Sequence, residues 1–248
     1  MPNNIRSEPR VTGLLLRKLK QHADLGPADE AAIRTLRAQT RKLMPNEDIV
    51  RQGDRPKVAV FVLSGMLARY HTLSGGDRQY LSFNIAADLP DVQSLYLEVM
   101  DHSLCAMDNA EIALLPHTQL QRLIQRRPTI NSALWRITLI DSAIFRQAVT
   151  NNGARPHVAR LAHFMCEHYT RAKDAELAHG RSCSLPLTQA VIAQALGVSP
   201  ISIHRALQTL RRDRVMTLGS GKLEILNWSK LARIAGFDPT YLHLGKGS

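Results

Sequence analysis

A chain of 248 residues, 44% of them hydrophobic, can fill one large or two smaller cores, but it has no run of about 18 apolar residues to span a membrane. Its formal charge of +11 favours a polyanionic partner, because Lys and Arg bound to phosphates release condensed counterions. Cys105, Cys166 and Cys183 are too dispersed for a CxxC metal site or a disulfide framework, and the N-terminus lacks an apolar signal core, so a cytoplasmic protein with reduced thiols is expected.

The segment Val11–Leu43 is predicted helical. Leu14, Leu15 and Leu19 share one face, as do Ala32, Ile33 and Leu36. Leu25-Gly26-Pro27 separates the two helices, and Asp29 is a candidate cap for the second. The period then changes. Val58–Leu63, Met66–Thr72, Arg78–Asn84 and Glu111–Leu115 read as short strands, and Ser74-Gly75-Gly76-Asp77 as a hairpin turn. Such spacing predicts a small antiparallel barrel or roll.

Helical period returns at Thr118–Arg126. Pro128 then opens a long helix, roughly Thr129–Asn151. Ile130, Leu134, Ile137, Ile144 and Ala148 form a narrow seam, suited to a helix that pairs with a copy of itself. Asp141 interrupts the seam, and the alternative is a helix packed on its own barrel. Asn151-Asn152-Gly153 is the expected helix end and hinge. Beyond it, His157–Ala172 is amphipathic and Asp174–Ser184 reads as a polar loop. Two short helices, a hairpin tipped by Gly219-Ser220-Gly221 and a last helix at Ser229–Ala235 complete the chain. Residues 153–248 carry 13 Lys and Arg against 6 Asp and Glu, making this the more basic part per residue.

The segment Thr188–Arg212 carries the function. Ile192 and Leu196 give a first helix its buried face, and small Ala193 lets a second helix cross closely over it. Gly197 supplies the tight turn, and Val198 plugs the corner. Ser199 is a good N-cap, and Pro200 is pre-organised for the first helical position. Ile203, Leu207 and Leu210 bury the inner face of the second helix. Ser202, His204, Arg205, Gln208 and Arg212 are left outside, polar or cationic groups suited to base edges and phosphates. The alternative for such a pair is a plain helical hairpin in a core. The basic run Arg211–Arg214 and a following hairpin with Lys222 fit a winged DNA-binding module instead.

With these residues the chain resembles the CRP/FNR family of bacterial regulators, the cyclic-AMP receptor protein and its relatives, over nearly its whole length. The resemblance rests on the N-terminal helices, on Arg51-Gln52-Gly53-Asp54 and Leu63-Ser64-Gly65, on the long central helix, and above all on Ile192–Arg205 followed by Leu210–Val215. It implies an α+β protein in three parts. Residues 1–127 would be a cyclic-nucleotide-binding-like β-roll, 128–152 a long dimerisation helix and hinge, and 153–248 a winged helix-turn-helix. It also implies a homodimer on double-stranded DNA, with each recognition helix in a major groove and half-sites about one helical turn apart. RNA polymerase and an unidentified small-molecule effector are further partners it allows. Ser199, Pro200, Ile201, Ser202 and Arg205 stand where the family reads bases and phosphates, and Thr188 and Gln189 match phosphate contacts. Arg205 matches an arginine that reads guanine. Many relatives carry Arg or Glu where Pro200 and Ile201 stand, so their half-site does not transfer.

The roll departs further. Nucleotide-binding relatives hold the ribose with a Gly-Glu pair and the phosphate with an Arg about ten residues on. Pro90-Asp91 stands in place of Gly-Glu, and no Arg or Lys occurs between Arg78 and Arg122. A buried phosphate without a cationic partner is costly, so cyclic AMP is not the expected ligand. No cysteine precedes Cys105 to hold the iron–sulfur centre of oxygen-sensing relatives. His71, His102 and His117 are the only candidates named for haem or metal, and a lone His more often packs than ligates. No cofactor and no enzymatic activity are expected. The alternative is a metal-binding or catalytic β-barrel with a DNA-binding appendage, which would need those histidines to converge with carboxylates. Cys105 reads as a packed small residue rather than a thiol sensor, and Arg122, Arg126 and Arg127 as a solvated helix face rather than an anion site.

Overall fold

The computed structural model describes residues 9–244. They form two compact units. The first takes the described residues up to His71 together with Ser82–Asp141, and the second takes Thr72–Leu81 with the described residues from Ser142 onward.

In the first unit, α1 (Pro9–Lys20) and α2 (Pro27–Arg34) precede seven strands: β1 (Gln39–Leu43), β2 (Asp48–Val50), β3 (Val58–Ser64), β4 (Leu67–Thr72), β5 (Arg78–Asn84), β6 (Ser103–Ala106) and β7 (Ala110–Pro116). The order is β1-β7-β3 in one sheet and β2-β6-β4-β5 in the other. The outer ends of β4 and β5 belong to the second unit. Two helices follow, α3 (His117–Arg126) and the 27-residue α4 (Pro128–Ala154). β3 explains why its sequence is apolar throughout. Side chains alternate along a strand, so Ala59, Phe61 and Leu63 enter the helix-side core while Val60 and Val62 enter the other. Gly65 makes the β3–β4 turn at φ +78°, where an added Cβ would lie 2.7 Å from the Ala110 Cα.

Three expectations change, and one strand is added. Gln39–Leu43 is not helical: the chain leaves α2 at Thr35, and residues 39–43 pair antiparallel with β7, Leu43 opposite Ala110. Ser103–Ala106 is a strand between β2 and β4, buried at all four positions and therefore without alternation. The seam on α4 does not face a second copy in its first half. Ile130 and Leu134 are buried in the unit's own core, with Ile137 packed against it. The helix also runs on through Gly153 to Ala154. Its break falls at Arg155-Pro156, because a residue before proline is driven from the helical region.

The second unit contains the rest of α4, then α5 (His157–Asp174), β8 (Ser182–Ser184), α6 (Gln189–Leu196), α7 (Pro200–Arg212), β9 (Met216–Gly219), β10 (Lys222–Ile225) and α8 (Trp228–Ala235). β8 lies within the segment read as a loop. It adds a third strand to the C-terminal hairpin, Cys183 opposite Leu223, in the order β8-β10-β9. Leu161, Met165, Ile192, Ile203, Leu210 and Leu231 are fully buried here.

His163 is buried among Phe237, Tyr241 and the Gln147 amide, which lies 3.0 Å from its ring. Burial, helped by the Arg155 charge, lowers its pKa from 6.5 to about 4. A proton then binds the unfolded chain first, so this histidine's contribution is intact above pH 6.5 and is lost as pH falls toward 4. The melting temperature of wild type should therefore drop relative to His163→Gln across that window. Parallel curves would show that His163 does not take up the proton.

Candidate nucleic-acid interface

The helix pair is fixed by local chemistry. Thr188 caps α6, its hydroxyl accepting from the Val191 N–H at 3.2 Å. Gly197 ends α6 in the left-handed region at φ +63°, where a side chain would strain the turn. Ser199 caps α7, accepting from the Ser202 N–H at 3.2 Å, and Pro200 takes the first helical position. The two helices differ in direction by 107°, within the range of helix-turn-helix pairs. Ile192, Ala193 and Leu196 of α6 and Ile203, Ala206 and Leu210 of α7 are buried between them and α5, and Leu207 is half-buried.

Sequence reasoning did not find what holds the C-terminal end of α6. The last carbonyls of a helix have no partner within it. Here Gln79 donates to the Gln194 carbonyl at 2.5 Å, Asn152 to Ala195 at 3.1 Å and Arg160 to Leu196 at 2.9 Å. These donors come from β5, α4 and α5, so nothing in the motif itself signals them.

The sequence-predicted contact residues lie on one module. Gln189, Ser199, Pro200, His204, Arg205 and Gln208 are exposed, Ser202 is half-buried, and Ile201 is 64% exposed. The Gln208 amide donates to the His204 ring at 2.9 Å. Arg212 leans on Asp213 at 3.2 Å. Arg205 has no hydrogen bond or ion pair among the described residues. Lys222 is exposed at the start of β10, opposite Gly219 at the tip of the wing.

In the first unit the main residue missed is Arg69. It is 2% exposed. Its Nε donates to the Pro90 carbonyl at 2.6 Å, and its Nη1 donates to Asp141 on α4 at 2.8 Å and to Ser82 at 3.3 Å. The roll therefore does contain a buried cation, brought by β4 from outside the sequence window searched, but Asp141 already neutralises it. Asp91 is fully buried, and its Oδ1 accepts from the Val60 N–H of β3 at 2.7 Å. Burial raises its pKa to about 7 against the opposing pull of that bond and of Arg69.

Two of the three candidate histidines meet at Asp101, and the third contacts Ser94. His71 meets the Asp101 carbonyl at 2.9 Å, His102 the Asp101 carboxylate at 2.8 Å, and His117 the Ser94 hydroxyl at 3.0 Å. Among the described residues no three His, Cys, Asp or Glu side chains gather as a metal site. All three cysteines are buried and outside any disulfide, and burial pushes the Cys166 and Cys183 thiols up to about 12 and 11.

Known proteins share both units. Residues 40–127 match the cyclic nucleotide-binding domain, and residues 159–234 match the Crp-like helix-turn-helix domain. The chain is 20% identical to the fumarate and nitrate reduction regulatory protein of Vibrio cholerae over 79% of its length and 78% of that protein's. It is 21% identical to the transcriptional activator protein FnrL of Cereibacter sphaeroides, covering 80% and 81%. In structure it is similar to FixK2 from Bradyrhizobium japonicum, with a TM-score of 0.71 at 17% identity over 81% of this chain and 98% of that one. With both domain matches in the order of the folded units, this chain belongs to the CRP/FNR family of helix-turn-helix transcriptional regulators.

Proposed function

We propose that the chain is a homodimeric, cytoplasmic, sequence-specific DNA-binding regulator without catalytic activity, whose roll does not take cyclic AMP. The observation that carries DNA reading is the exposed face of α7, with unpaired Arg205 beside Ile201 and the His204–Gln208 pair. Arg205 reads a base through its fork, and Ile201 suits a thymine methyl. Ser199, Pro200, Ser202, His204 and Gln208 complete the reading face. Gln189, with Thr188 at the α6 N-terminus, and Lys222 on the wing meet phosphates, which position the module without reading sequence. In this reading residues 1–127 are the sensor, 128–154 the dimerisation helix with its break at Arg155-Pro156, and 157–248 the DNA-binding domain. Genomic footprinting with sequencing of bound fragments tests it. A two-fold symmetric motif is expected, and fragments without a shared motif would refute sequence-specific reading.

Support for the dimer comes from α4. Trp135, Leu139 and Val149 are 59%, 50% and 75% exposed, and Trp135 and Val149 lie two heptads apart. In the first unit Trp135 also lines an apolar cavity of about 250 Å3 with Leu95, Tyr96 and Leu134. A large exposed apolar patch marks an association surface. Leu139→Glu should sediment as a monomer at concentrations where wild type is dimeric; a wild-type monomer would refute the assignment.

Refusal of cyclic AMP is supported by the Arg69–Asp141 pair, because a nucleotide phosphate would have to displace a carboxylate already bound to a buried guanidinium. Cyclic AMP should leave melting temperature and operator affinity unchanged. A saturable rise in melting temperature would overturn this.

A further inference from the structure

A second cavity of the first unit, about 340 Å3, lies where α2 and α3 meet. Leu36 and Leu123 give it an apolar floor, and Thr35, Arg122, Arg126 and Arg127 line its rim. Arg122 and Arg126 are one turn apart on α3, so they project from the same side. Both are exposed, and neither has a hydrogen bond or ion pair among the described residues. Arg127, the residue that ends α3, approaches Asp29 only to 3.9 Å, and Asp29 also receives the Gly26 N–H at 3.3 Å. A helix face that is merely solvated interleaves carboxylates about one turn from its cations. This stretch does not, because the sequence has no Asp or Glu from Ile112 through Ile140. Three arginines thus line a concave, apolar-floored space, and one of them, Arg127, is paired with Asp29 at 3.9 Å.

We infer that this cavity binds a small organic anion, with phosphate or carboxylate oxygens on the arginine forks and an apolar body on Leu36 and Leu123. Guanidinium forks match either oxyanion, and the volume is that of a small-ligand site rather than a flat protein-docking surface. The site also touches the long helix. The Arg127 carbonyl accepts from the Ile130 and Asn131 N–H groups at 3.1 and 3.2 Å, forming the first turn of α4. Occupancy is thereby coupled to α4 and to operator affinity, a step that rests on the regulatory function proposed above.

Calorimetric titration of the full chain with phenyl phosphate, benzoate and phenol tests the site without DNA. Saturable binding of phenyl phosphate or benzoate is expected, with none of phenol; which anion binds more tightly separates the phosphate source from the carboxylate source. Arg122→Gln/Arg126→Gln should weaken binding roughly tenfold or more at unchanged melting temperature, since each lost charged hydrogen bond carries about that factor. No saturation at millimolar anion, or equal affinity in the double variant, would overturn the site. Operator affinity measured with and without the bound anion tests the coupling, and an unchanged value alongside intact calorimetric binding would overturn that step alone.

Discussion

Asp141→Ala should destabilise the first unit by about 3–5 kcal/mol, and by more than Arg69→Met does. The asymmetry follows from burial. The Arg69 side chain is 3% exposed and the Asp141 side chain 32%. Removing the carboxylate takes the charged partner from a guanidinium out of reach of water, while the Pro90 carbonyl and the Ser82 hydroxyl, both neutral, still accept from it. Removing the guanidinium leaves a carboxylate that water can reach. The double variant Arg69→Met/Asp141→Ala should recover part of the loss, because no buried charge remains. The two tryptophans separate the units, Trp135 reporting the first and Trp228 the second. Urea unfolding followed through Trp135 in a Trp228→Phe background gives the measurement. A costlier Arg69→Met would mean that the arginine's packing, rather than its charge, dominates.

Arg205→Ala should cost roughly 1–3 kcal/mol per half-site and relax preference at one base position in each. On a two-fold operator the losses from the two half-sites compound. Arg205 is exposed and unpaired among the described residues, so truncation leaves the fold of α7 intact and the change reads recognition alone. Affinity should be measured on the operator and on single-base variants of it, over a range of salt. Uniform weakening on all sequences, with a shallower salt dependence, would make Arg205 a phosphate contact instead.

The helix-turn-helix was legible because its determinants are local. Thr188, Gly197, Ser199 and Pro200 act on backbone within four residues of themselves, so their order in sequence is their order in space. Strands β3, β4 and β5 were legible for a related reason, as apolar runs cut by turn residues. β1, β6 and β8 were not, because short segments such as Gln39–Leu43 and Ser182–Ser184 become strands only through their partners. The α4 seam shows a different limit. Spacing reveals that an apolar face exists but not which body covers it, and Ile130 and Leu134 turn out to serve the chain's own core. Arg69 was hidden by the same logic. A search for cations near residues 78–122 follows the chain, whereas β4 sets residue 69 beside Leu104 across the sheet.

Asp91 sets a constraint on how this roll can change. Its carboxylate latches β3 through the Val60 N–H, deep in the unit, at the position where nucleotide-binding relatives are implied to carry their glutamate. Installing glycine and glutamate at 90 and 91 would disturb that latch before any ribose contact was gained, and Arg69 would still be held by Asp141. On the proposal that the roll takes no cyclic AMP, its conversion to a nucleotide sensor crosses a valley of lower stability. A route across it begins with substitutions that secure β3 by other means, then frees the arginine, and alters residue 91 last.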